Sequence, residues 1–122
     1  MSKKLPSVYL DHMAHYSKEL VNGARTHTKE QLESDSWFYH GAIRLISIVG
    51  EAANKIPKDV QSRYSQLPWK ELIGMRNILV HQYENINIDI VWKVITEDLP
   101  PIIPEVEKAL EAEIKREEES RK

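Results

Sequence analysis

Apolar positions along this chain recur at helical spacing, and strand-like alternation is scarce. Tyr9, Met13, Tyr16 and Leu20 follow one another at steps of four, three and four, which lays them along one stripe. That spacing predicts a first helix stopping at Asn22-Gly23. Thr28-Lys29-Glu30-Gln31 has the form of a capping box for a short turn, in which the Thr hydroxyl and the Gln amide each accept from the other residue's backbone N–H. Asp35 is placed to cap a second long helix. There Phe38, Ala42, Leu45, Ile46, Val49 and Ala53 form a broad buried face that must end before Pro57.

Pro57-Lys58-Asp59-Val60 can open another short turn, and Pro68-Trp69 suits the start of a third helix running through Leu72, Ile73 and Val80. Asn87 or Asp89 can cap a fourth, with Ile90, Val91, Val94 and Ile95 on one side. Pro100, Pro101 and Pro104 then break or kink the chain, since a prolyl ring clashes with the preceding turn and removes a donor. A last amphipathic segment follows through Ile103, Val106, Leu110 and Ile114. Four or five helices with short connections make an all-α bundle. A chain of 122 residues suits one domain, here 1–114. The charged segment 115–122 has no apolar side chain to bury and is expected to fray.

Composition narrows the chemistry. The absence of cysteine excludes a disulfide scaffold, a thiolate zinc site and a Cys nucleophile, and agrees with a reducing cytoplasm. No apolar stretch approaches bilayer length and the start lacks a signal-peptide core, so the expectation is a soluble, cytoplasmic protein without a membrane. The net charge of −2 provides no broad basic field for nucleic acid. Its distribution matters more: residues 105–122 hold seven Glu against five Lys or Arg, which leaves 1–104 balanced.

The most informative stretch is Gly74-Met75-Arg76-Asn77-Ile78-Leu79-Val80-His81-Gln82-Tyr83. An Arg followed five residues later by His arises by chance at roughly 0.25 per sequence of this composition, and adding the Tyr lowers that to about 0.01. The triplet is therefore informative. On an ideal helix Arg76 and Tyr83 share a stripe while His81 lies roughly 140° from Arg76, so the helix must end or distort near Val80 for the three to converge. His12 and His15, three apart on the first helix, could ligate a metal but suggest no third ligand, so none is expected. Glu51 reads as a solvated helix-face residue, and Trp37, Trp69 and Trp92 read as fillers of the core or of a dimer seam.

Taken together, the phrase Val49-Gly50-Glu51-Ala52-Ala53, Pro68-Trp69 leading into Ile73-Gly74-Met75-Arg76-Asn77, the Arg-x4-His-x-Tyr core, and Ile90-Val91-Trp92 running on to Asp98-Leu99-Pro100 resemble the HepT-like toxins of the HEPN superfamily. The resemblance spans about Tyr9 to Leu110. Asn87 stands where relatives often carry an acidic residue, a change that still leaves a good helix cap. The resemblance implies a homodimeric HEPN-type bundle with both motifs facing one cleft, acting as a metal-independent endoribonuclease with no cofactor. Arg76 and His81 would be catalytic and Asn77 supporting. It also implies a toxin–antitoxin system in which a minimal nucleotidyltransferase antitoxin transfers AMP to Tyr83. The alternative is a non-catalytic HEPN module that binds nucleotide or RNA, or serves only as substrate for the partner's nucleotidyl transfer.

Overall fold

The structure, a computed structural model, describes residues 4–77 and 87–121. Two twenty-residue helices, α1 (Pro6–Arg25) and α3 (Ser36–Lys55), pack along one another. The short helix α2 (Lys29–Ser34) turns the chain between them, so the end of α1 meets the start of α3, where Gly23 lies beside Phe38. Then come α4 (Lys58–Arg63), α5 (Trp69–Gly74) with an appended 3₁₀ turn (Met75–Asn77), α6 (Ile88–Lys93) running into a π-helical turn (Val94–Asp98), and α7 (Ile102–Ser120). No strand occurs among the described residues, and the fold is the all-α HEPN-type bundle.

Local chemistry sets several of these boundaries. Thr28 and Gln31 form the full capping box at α2, and the Asp35 carboxylate accepts from the Phe38 N–H to start α3. Asn87, rather than Asp89, caps α6, its side-chain oxygen accepting from Asp89 N–H and Ile90 N–H at 2.9 and 3.2 Å. The first helix passes through Asn22-Gly23 and ends at Thr26. Gly23 does not turn into a left-handed cap, and no glycine among the described residues has positive φ.

The core runs through all the long helices. Leu10, Met13, Ile43, Ile46, Val49, Leu72, Val91, Ile95, Leu99 and Val106 are buried among one another, each such side chain worth about 1.5–3 kcal/mol relative to exposure. Ile90 and Trp37 depart from their expected faces. Ile90 is 58% exposed, one helical step off the buried Val91 face, and Trp37 is 92% exposed on the first turn of α3, so it does not fill the core of the protomer. Trp69 is half-buried, its indole N–H donating to the Tyr64 carbonyl at 3.0 Å.

The helix α7 lies antiparallel to α1, with Glu107 opposite Lys18 and Glu117 opposite Ser7. The segment expected to fray is instead helical through Ser120. Glu117 accepts from the backbone N–H of Ser7 at 3.1 Å and from its hydroxyl at 2.6 Å, supplying acceptors at the first turn of α1, where Leu5 makes no side-chain cap. One turn earlier on α7, Ile114 is 42% exposed and the carboxylate of Glu113 is buried. Glu113 Oε1 accepts from Arg63 Nη2 at 2.8 Å, Arg63 Nε at 3.2 Å and the Tyr64 hydroxyl at 2.9 Å, which clamps the end of α4 to α7. A charge this deep is stable only because three donors meet it.

Candidate functional site

Pro68 precedes α5, and the Trp69 N–H bonds the Leu67 carbonyl at 2.9 Å, so this helix starts from a fixed point. It remains α-helical for six residues and tightens into the 3₁₀ turn at Met75. The α-helical geometry thus ends at Met75, five residues before Val80, near which the end or distortion is expected. In the tighter turn the Met75 side chain is buried, while the next two residues, Arg76 and Asn77, are exposed side by side. Val80, His81 and Tyr83 lie outside the described residues.

A glycine holds that turn in place. The backbone of Arg76 rests directly on α3 at Gly50, where a Cβ would sit 2.9 Å from the Met75 carbonyl carbon, 3.0 Å from Arg76 Cα and closer still to the Arg76 amide nitrogen. Any side chain would have to displace backbone atoms. Gly50 is needed for close approach, and a buried glycine on a core helix acts as the seat of the arginine. In the sequence it belongs to a recognisable phrase, but its partner lies too far along the chain for spacing to reveal the contact.

Arg76, whose guanidinium carries five N–H donors in a planar fork, is exposed, and no ion pair among the described residues involves it. Such a fork suits an anion, since it donates to two phosphate oxygens at once. Asn77 adds a carboxamide at the adjacent position. Glu51, next to Gly50, is exposed on the outer face of α3, as a solvated helix-face residue would be. The ring of His12 meets Tyr9 and Tyr16 edge-on, and that of His15 meets Tyr16. Among the described residues no three His, Asp or Glu side chains are grouped to hold a metal. No described helix is long and apolar enough to cross a membrane.

An all-α HEPN-type bundle that carries an exposed Arg-Asn pair on a braced turn defines a class of small helical proteins. The chain belongs to the HepT-like ribonuclease family, whose family model, described as ribonuclease HepT-like, matches residues 12–109. It is 31% identical over 110 residues to a protein of Caldanaerobacter subterraneus subsp. tengcongensis named as a candidate RNase, covering 90% of this chain and 98% of that one. A candidate RNase of Methanocaldococcus jannaschii is 32% identical over 110 residues, covering 90% and 95%. A candidate HepT ribonuclease of Thermococcus cleftensis is 30% identical over 100 residues, covering 82% and 91%. No solved structure matches the chain. The family and these relatives support ribonuclease activity.

Proposed function

We propose that this protein is a metal-independent endoribonuclease that acts as a homodimer and as the toxin of a toxin–antitoxin pair. The observation that carries the reading is the exposed Arg76-Asn77 pair, seated on α3 by Gly50, in a chain of a ribonuclease family. A two-fold dimer would bring two copies of the motif to one cleft. RNA carries its own nucleophile. One His81 imidazole takes the proton of the 2′-hydroxyl as its oxygen forms a bond to phosphorus. The bond from phosphorus to the 5′-oxygen breaks, and that oxygen receives a proton from the second His81. Arg76 grips the non-bridging oxygens, whose negative charge grows in the transition state, and Asn77 orients the phosphate or the imidazole. The products are a 2′,3′-cyclic phosphate and a free 5′-hydroxyl.

Restraint of this activity falls to Tyr83. A minimal nucleotidyltransferase partner transfers AMP from ATP to its phenolic oxygen, which loses its proton as pyrophosphate leaves, and the added bulk and negative charge compete with RNA for Arg76. Purified protein incubated with RNA tests the whole reading. Cleavage should persist with chelator and fall about 10²–10⁴-fold in Arg76→Ala and His81→Ala proteins. Undiminished cleavage by both variants would refute the assignment. Co-expression with the partner should add the mass of AMP to the wild type and not to Tyr83→Phe.

A further inference from the structure

The two irregular helical turns of this fold line the same cavity. The 3₁₀ turn contributes Met75, the π turn contributes Val94, Glu97 and Asp98, and α5 and the start of α7 close the remaining sides. Its volume is about 570 Å³, within the range of small-molecule sites. The walls separate by character. Met75, Val94 and Ile102 supply apolar surface, whereas Glu71, Glu97 and Asp98 supply carboxylates, and no Lys or Arg is among the described residues that line it.

The π turn explains how the acids come together. Val94, Glu97 and Asp98 stand at i, i+3 and i+4, which places them on one side of the turn, and the Leu99 N–H closes that turn on the Val94 carbonyl at 2.9 Å. Asp98 is partly engaged, accepting from Lys93 Nζ at 3.0 Å. Glu71 and Glu97 are exposed and form no ion pair among the described residues. Even with Lys93 counted, the described residues of the rim keep a negative excess, which disfavours phosphate. Arg76, one residue beyond Met75, does not line the cavity. A surface suited to anions and a cavity suited to cations therefore adjoin across a single turn.

We propose that this cavity binds a small organic cation, an apolar amine whose carbon body lies on Met75, Val94 and Ile102 and whose ammonium group is held by Glu71 and Glu97. The apolar wall selects against inorganic cations, which gain nothing from leaving water for it, and the carboxylates select against neutral or anionic molecules of the same shape. The inference is independent of RNA cleavage, and its test reads binding alone.

Methionine supplies the probe. Met75 lines the cavity and Met13, 1% exposed in the core, serves as internal reference. In full-length protein carrying ¹³C-methyl methionine, phenethylammonium should shift the Met75 methyl resonance saturably and leave Met13 in place. Phenylacetate, of similar shape and opposite charge, should leave both unmoved. The double substitution of Glu71→Gln and Glu97→Gln, both at exposed positions, should weaken phenethylammonium binding by about tenfold or more with an unchanged circular dichroism spectrum. Absence of a saturable Met75 shift overturns the proposal, as does equal binding of phenylacetate. Undiminished affinity in the double variant overturns it too, because the ammonium would then be held elsewhere.

Discussion

Arg63 and Arg76 stand on either side of α5, and the protein positions them by opposite means. Arg63 is fixed by its side chain: Glu113 accepts two of its N–H groups and the Tyr64 hydroxyl from within the core. The hydrogen bond to Glu113 pushes the guanidinium still further from losing its proton. Arg76 is fixed by its backbone, which lies on Gly50, while its exposed head makes no ion pair among the described residues. An arginine whose donors are spent holds two helices together. An arginine whose main chain alone is constrained keeps its donors for something else. The difference teaches where to look for chemistry in a small bundle: at charged groups with rigid supports and uncommitted heads.

The contrast can be broken from either side. Glu113→Ala removes the acceptor shared by Arg63 and Tyr64 and leaves the phenol hydroxyl buried. It should cost about 2–3 kcal/mol, read as a lower urea midpoint, with RNA cleavage per folded molecule retained. Gly50→Ala should cost about 1–3 kcal/mol, because a methyl group forces backbone apart. Here cleavage should fall by more than the folded fraction does, since the turn carrying Arg76 must move. A Gly50→Ala protein with full activity would show that the seat is merely packing.

A smaller effect should appear in alkali. Burial first, then the bond to the Glu113 carboxylate, pushes the Tyr64 hydroxyl above its ordinary value near 10. The folded state thus keeps a proton that the unfolded chain releases, and stability must decline as pH rises from about 10 through the folded value. Tyr64→Phe lacks that proton, so denaturation midpoints measured across this range should fall less steeply in the variant than in the wild type.

What could be read in the sequence was what neighbouring residues decide. The capping box at Thr28 and the cap at Asp35 depend on groups within three positions, and both occur where the pattern places them. The buried face of α3 follows from apolar spacing alone, with Ala42, Ile46, Val49 and Ala53 all in the core. Arg76 and Asn77 were legible as candidates because of a short motif, although the turn that exposes them was not. Its cause, Gly50, is remote in sequence. The same holds for Glu113. Within a glutamate-rich run it looks like any solvated acid, and only Arg63 and Tyr64, about fifty positions earlier, make its burial tolerable. Likewise the π turn at Val94–Asp98 reflects tertiary fit near prolines, which periodicity places only as a break.

Trp37 gives the molecule an optical handle. Its indole stands in water on the first turn of α3, whereas that of Trp69 is half-buried and bonded to Tyr64. Red-edge fluorescence should therefore be dominated by one residue, open to collisional quenchers. Any second chain or ligand that settles on the start of α3 would shift that emission to the blue and shield it, so assembly on this face can be followed in unlabelled protein.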